Sequence, residues 1–244
     1  MKEPLPANFK PTWAIEAEEL TKSFGHRLAL RGINLKVARG EFFIIFGPNG
    51  AGKTTLIKIL ATLSKPSSGS VRIAGLDLKK SPAEIRHQIG VVCHQTYLYD
   101  NLTAYENLRF YGRMYDVTNV EKRIQQVANY MGLVFVLKER MGTLSRGMQQ
   151  RLSIARAIIH NPEILLLDEP ETGLDQNALL LFEDLLTSFR RSNKTLVMTT
   201  HNPERGLKMA DRVIILAQGK VVYEETKPDV ATFKRGYLCE GVRY

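Results

Sequence analysis

No apolar run in the 244-residue chain approaches the roughly 18 to 20 residues that an α-helix needs to span a bilayer. The longest, such as "FFIIF" (Phe42 to Phe46) and "VIILA" (Val213 to Ala217), have the length of buried strands, so the chain is expected to be soluble or peripheral. Cysteine is scarce. Cys93 and Cys239 lie far apart and match no metal spacing, which favours free thiols in a reducing compartment over a disulfide framework. The N-terminus, "MKEPLPANFKPTWAIEAEEL", has early acidic residues and prolines but no apolar segment of the secretory kind. A cytosolic address is expected. Repeats and low-complexity tracts are also missing. Long basic clusters are absent too: the net charge of +9 is spread over short groups such as "KRGY", "LKERMG" and "FRRSNK". That pattern fits a solvated basic surface, with nucleic acid or an anionic cytoplasmic leaflet as open alternatives.

What is present is enough for a proper core, since hydrophobic residues make up 44% of the chain. Residues 1 to about 13 read as an irregular leader. From Ala14 the pattern turns strand-like in "AIEAEELTKSF" and "LALRGINLKV", and "GEFFIIF" reads as a strand buried on both faces. "KTTLIKILATL" then spaces Leu56, Ile59, Leu60 and Leu63 as one helix face, and "VRIAG" is a further strand. Between about Tyr97 and Ile159 strand signals give way to helical ones, so a mostly helical insertion is expected there. "EILLLDEP", "KTLVMTTH" and "RVIILAQGKVVYEE" return to strands around the helix "NALLLFEDLLTSFRR". Alternation of this kind implies a mainly parallel sheet covered by helices.

"GPNGAGKTT" comprises Gly47, Pro48, Asn49, Gly50, Ala51, Gly52, Lys53, Thr54 and Thr55, and it fits the phosphate-loop pattern G-x-x-x-x-G-K-[ST]. Its glycines let backbone N–H groups curl around phosphate oxygens, with a helix N-terminus behind them. Lys53 is expected on the β- and γ-phosphates and Thr54 on Mg²⁺. The strand ending "LLLDEP" supplies two adjacent carboxylates: Asp168 for the metal and Glu169 as a general base toward the attacking water. "LSRGMQQR" (Leu144 to Arg151) adds a second anion-binding pattern, a serine and a glycine at a helix start.

Taken in order, "GPNGAGKTT", "LSRGMQQRLSIARA", "LLLDEPETGLD" and "TTH" resemble the nucleotide-binding domains of ATP-binding cassette (ABC) transporters, and the resemblance runs from about Ala14 to Glu225. It implies an α/β phosphate-loop NTPase fold in a single domain over 1–244: a mainly parallel core, an antiparallel β subdomain and an inserted helical subdomain at about 97–159. It also implies ATP and Mg²⁺ as ligands and hydrolysis as the activity. Phe24 falls where the family stacks an aromatic ring on adenine. Gln95 matches the glutamine that senses Mg²⁺ and the attacking water, and His201 matches the histidine that contacts the γ-phosphate. Asp175 matches an aspartate that communicates across a dimer. Ser145 and Gly147 match the signature positions that bind the γ-phosphate held by a second subunit. Arg146 and Met148 depart from the usual signature, and Arg146 is expected to face outward.

The same resemblance implies a second ATP-binding subunit, as a homodimer or a homologous pair, and an integral membrane permease subunit that binds the cargo, so that the chain would sit peripherally on the cytoplasmic face of the membrane. No direct nucleic-acid partner is expected. The permease would dock on the helical insertion after Gln95, whose aromatics (Tyr97, Tyr99, Tyr105, Phe110, Tyr111, Tyr115) are expected to be mostly core. "LTAYENLRFYGRMY" and the methionine in "LSRGM" are similar to exporter-type cassettes that accompany ABC-2 membrane subunits. Among those the pattern is most similar to the haem-exporter ATPases of cytochrome c maturation. A drug, lipid or polysaccharide exporter is the alternative, and a soluble family member acting on ribosomes or nucleic acid is the third reading.

Overall fold

The computed structural model describes residues 12–229 and residue 233. Most of the expected leader and the final "KRGYLCEGVRY", with Cys239, lie outside them. Two long strands, β1 (Trp13–Phe24) and β2 (Arg27–Ala38), pair antiparallel and precede β3 (Phe42–Phe46). Helix α1 (Lys53–Leu60) follows, then β4 (Ser68–Ile73), β5 (Leu76–Asp77), α2 (Pro82–Gln88) and β6 (Ile89–Val92). A helical stretch contains α3 (Ala104–Met114), α4 (Val120–Tyr130) and α5 (Arg146–Ile158). The chain returns through β7 (Ile164–Asp168), α6 (Gln176–Arg191), β8 (Thr195–Thr199), α7 (Pro203–Met209), β9 (Arg212–Ala217) and β10 (Lys220–Thr226).

The strands form two sheets among the described residues. One is antiparallel in the order β2-β1-β4-β5; the other runs β10-β9-β3-β8-β7-β6, parallel except for β10. Strand periodicity explains the layers, because successive side chains point to opposite faces. Phe42, Ile44 and Phe46 pack into a core shared with α3, α4, α5 and α6. Phe43 and Ile45, one residue out of phase, pack instead with α1 and the antiparallel sheet. β3 is therefore apolar at every position, and β7 and β8 in the same sheet are buried along their whole length in the same way.

This layering places the C-terminal ends of β3, β6, β7 and β8 along one edge, where ligands bind in open parallel sheets. Three loops leave that edge: Gly47 to Gly52 after β3, the segment after β6, and the turn after β7. One expectation about the helical stretch does not hold. Of its six aromatics only Tyr111 is buried; Tyr97, Tyr105 and Tyr115 are half-buried, and Tyr99 and Phe110 are exposed. The helices there satisfy their cores with aliphatic residues, namely Leu108, Ile124, Val127, Leu152 and Ile154, which leaves rings free at the surface.

Candidate functional site

The phosphate loop is shaped by what surrounds it. Gly47 has φ 144, and a Cβ there would lie 2.1 Å from the Leu216 carbonyl oxygen of β9. Gly52 has φ 108, and a Cβ there would meet the Ala29 carbonyl at 2.7 Å. Both the backbone sign and the space demand glycine. Lys53, buried to 5% exposure, folds back and donates from Nζ to the carbonyls of Gly47 at 2.7 Å and Pro48 at 3.1 Å. Ala51 N–H also donates to the Pro48 carbonyl, at 3.2 Å, so the loop is closed on itself. Burial lowers the Lys53 pKa, and the charges of Glu169 and then Asp168 counteract part of that shift.

Helix α1 begins at Lys53 with Gly52 as its cap, no capping side chain and no acidic residue in the first turn. Its first intrahelical bond runs from Leu56 N–H to the Gly52 carbonyl, so the N–H groups before it have no acceptor in the helix. A helix start left bare of capping groups carries partial positive charge and unspent donors. It opens on a cleft of about 330 Å³ lined by Phe24, Arg27, Asn49, Gly50, Thr54 and Glu169, among others. Phe24 presents an exposed ring there, with Lys22 Nζ 4.9 Å from its centroid. That arrangement fits a polyphosphate on the loop and a planar base against the ring.

A second cleft of about 580 Å³ adjoins it and shares Thr54 and Glu169. The carboxylate of Asp168, at the buried end of β7, accepts from Thr199 Oγ1 at 2.8 Å. The same hydroxyl accepts the Glu169 N–H at 3.0 Å, so one threonine on β8 holds both acidic residues. Glu169 has φ 51, an uncommon left-handed backbone for a non-glycine residue, which turns its side chain away from the strand direction. Its Oε1 lies 2.5 Å from His201 Nε2. Thr54 and Asp168 bring hard oxygen donors to one cleft, a set that suits Mg²⁺ shared with phosphates. No cluster of three or more His, Cys, Asp or Glu side chains able to hold a metal alone occurs among the described residues.

Other expected residues sit elsewhere. Gln95 is exposed and does not line either cleft, whereas its neighbours His94 and Thr96 do. Ser145 is exposed and caps α5 by accepting the Met148 N–H at 3.3 Å. Gly147, second in α5, packs so closely on the next loop that a Cβ would be 3.0 Å from the Gly173 carbonyl. Asp175 is exposed and caps α6, accepting from Ala178 N–H at 2.8 Å. Arg146 is exposed, in keeping with the expectation, and it also lines the second cleft with Asp168 and Glu169, its stem lying over Gly173. Buried Gln150 donates to the Pro170 carbonyl at 2.9 Å, tying α5 to the Glu169 turn. Thr199, Gln150 and His94 carried no distinguishing signal in the sequence beyond standing inside or beside recognised motifs.

The fold and this cleft have counterparts among known proteins. The sequence profile of the ABC transporter family matches residues 30–172. The ABC transporter ATP-binding protein NatA of Bacillus subtilis is 39% identical over 198 residues, covering 80% of each chain. The linearmycin resistance ATP-binding protein LnrL of the same organism is 34% identical, over 89% of this chain and 71% of its own. Among solved structures, the ATP-binding cassette MJ0796, a dimer in a post-hydrolysis state with ADP and Pi, superposes with a TM-score of 0.81. It is 31% identical over 88% of this chain and 99% of that chain.

Proposed function

We propose, from the premise that the chain belongs to the ABC transporter family and is one of its ATP-binding, ATP-hydrolysing subunits, that it drives a drug exporter through a separate membrane subunit. The observation that carries the enzymatic half is the bare start of α1 facing Asp168 and Glu169 across adjoining clefts, with His201 paired to Glu169. In this reading the Gly47 to Thr55 loop and Lys53 bind the phosphates, and Phe24 stacks on the base. Thr54 and Asp168 would hold Mg²⁺, and Gln95, exposed and outside both clefts, is assigned to it as well. The metal would neutralise charge on the β- and γ-phosphates. Water attacks the γ-phosphorus, the bond to the β–γ bridging oxygen breaks, and ADP leaves. Glu169 takes the water's proton, and His201 fixes the carboxylate and contacts the γ-phosphate.

Ser145 and Gly147 are assigned to the γ-phosphate of a second subunit, and Asp175 to the contact between subunits. Ser145 lines neither cleft beside its own phosphate loop, and the Gly147 N–H, at the second position of α5, has no acceptor within the helix. A head-to-tail pair would complete both sites, with ATP as the ligand that favours the closed state. No helix among the described residues is long and apolar enough to cross a membrane, so the permeation path is assigned to the partner.

For the cargo, the relatives favour a drug exporter over the haem exporter of cytochrome c maturation: LnrL is named for resistance to linearmycin, and no relative reported above is named for haem. The test is to compare cells carrying the wild-type chain with cells carrying Glu169→Gln beside the same membrane subunit. Increased retention of an antibiotic with unchanged covalent haem in c-type cytochromes is expected. Loss of c-type cytochromes with unchanged retention would return the assignment to haem.

A further inference from the structure

His201 meets Glu169 from a short connection: β8 ends at Thr199, and Asn202 is already the cap of α7. The histidine side chain is 49% exposed, so packing does little to hold the ring and the backbone on either side must. Thr200 does that holding. It is 1% exposed, and its methyl is turned toward α7, where a Cβ on Gly206 would come within 2.9 Å of it. Its hydroxyl accepts the Asn202 N–H at 2.9 Å, which joins the residues before and after His201 through one oxygen. Asn202 in turn caps α7 by accepting the Arg205 N–H at 3.0 Å.

A hydroxyl has a single hydrogen, and that of Thr200 goes to the Glu171 carboxylate. Glu171 stands in the turn after β7 and lines neither nucleotide cleft. Its side chain is only 14% exposed; Oε1 accepts from Thr200, and Oε2 is buried without a hydrogen bond. Arg205 stands 3.9 Å from that second oxygen and spends its Nε on Glu183 of α6 at 3.0 Å. A carboxylate mostly out of water and half satisfied costs stability. Pairing with Arg205 does not account for it, because Glu183 already serves that cation at closer range. What Glu171 supplies is the acceptor for Thr200. Its own turn is a firm anchor, since Gln150 donates to the Pro170 carbonyl and the Thr172 N–H bonds the Glu169 carbonyl at 3.2 Å.

We infer that Glu171 is a positioning residue for hydrolysis: its carboxylate orients the Thr200 hydroxyl, which fixes the backbone on both sides of His201 and so keeps the imidazole on Glu169. The inference rests on the reading of His201 and Glu169 as the pair that handles the attacking water. Without the carboxylate, the Thr200 hydroxyl keeps a hydrogen with no acceptor, in a place that is closed to water, and it turns to find one. That rotation gives up the Asn202 bond, and the connection carrying His201 loosens. ATP binding is assigned to the Gly47 to Thr55 loop and Phe24, none of which shares a hydrogen bond or ion pair with the Glu171 side chain. The loss therefore falls on turnover and spares affinity, because a small displacement at the reacting centre weighs on the transition state.

The experiment measures kcat and KM for ATP in the full chain, with radiolabelled ATP so that low rates remain measurable. Glu171→Ala is expected to lower kcat by about tenfold or more and to move KM by less than about threefold. Glu171→Gln, whose amide oxygen still accepts from Thr200, is expected to bring kcat back to within about threefold of the wild type. In a chain that already carries His201→Ala, Glu171→Ala should remove little of the remaining rate, since a residue that works through His201 has nothing further to act on. Should Glu171→Ala fail to fold, Thr200→Val removes the same hydrogen bond at similar volume and is read against the same kcat, KM and His201→Ala expectations. An unchanged kcat, an amide variant as impaired as the alanine variant, or a loss that persists in full beside His201→Ala overturns the inference while the ATPase reading stands. If His201→Ala alone leaves kcat at the wild-type level, the role proposed for His201 fails and takes the inference with it.

Discussion

At the scale of single residues, Thr199 stands out. One hydroxyl donates to Asp168 and accepts from the Glu169 backbone, so the metal-side carboxylate and the proposed base are positioned by the same atom. Thr199→Val keeps the shape and removes that atom. Hydrolysis is expected to fall by about tenfold, ATP affinity to change less, and unfolding to cost about 1 to 3 kcal/mol less because a buried carboxylate loses a donor. Steady-state turnover, calorimetry and denaturant unfolding measure the three effects. Glu169→Gln separates binding from chemistry: its amide cannot take the water's proton, so turnover should drop by about 10² to 10⁴ while ATP still binds. Retention of more than a tenth of wild-type turnover would remove Glu169 from the role of base. These residues differ in how visible they were. Lys53 and Asp168 stand in motifs whose chemistry dictates their spacing. Thr199 looks like any strand threonine until β8 is paired with β7. Gln95 matches its motif in position, yet its exposed placement leaves His94 and Thr96 on the cleft wall.

Elements were legible where burial on both faces or a long helical repeat left a strong pattern. β3 and β7 are continuous apolar runs ending in chemistry-bearing loops, and α6 repeats its apolar face over four turns. The four residues of β6 and the seven each of α2 and α7 are too short for either period to register. β6 owes its place to pairing with β7 and to packing against α5, where a Cβ on Gly90 would come within 2.3 Å of the Ala157 carbonyl. The turn after α5 has a pH dependence of its own. Burial, opposed by the bond to Ile89, lowers the His160 pKa from 6.5 to about 4, so the folded chain keeps this ring neutral where the unfolded chain would protonate it. The unfolded state then binds more protons between those two values, and stability falls as the pH drops through that window. Lowering the pH from 6.5 to 5 should cost on the order of 2 kcal/mol from this residue. His160→Gln should flatten the dependence, as urea unfolding at the two pH values would reveal. An equal slope in both proteins would mean that other groups set it.

On the scale of the whole molecule, the proposed assembly follows from where the starts of α1 and α5 lie. The start of α1 is bare and opens on the cleft beside Phe24, whereas Ser145, at the start of α5, lines neither cleft of its own chain. If Ser145 serves the γ-phosphate of a neighbour, defects at the two ends must combine by geometry. Lys53→Ala removes the only side-chain cation of the phosphate loop and should weaken ATP binding by about 10- to 100-fold. Ser145→Ala leaves binding largely intact and should abolish most turnover, beyond the roughly 1 kcal/mol lost with the cap of α5. Pairing one subunit of each kind puts both defects into one composite site and leaves the other site whole. Equal mixing makes half of all pairs mixed, so about a quarter of wild-type turnover should return if the two sites fire independently. Were Ser145 to act within its own chain, every site would carry a defect and mixing would restore nothing. The measurement is ATP turnover across mixing ratios, with a maximum at equal proportions expected and a flat line counting against the shared site.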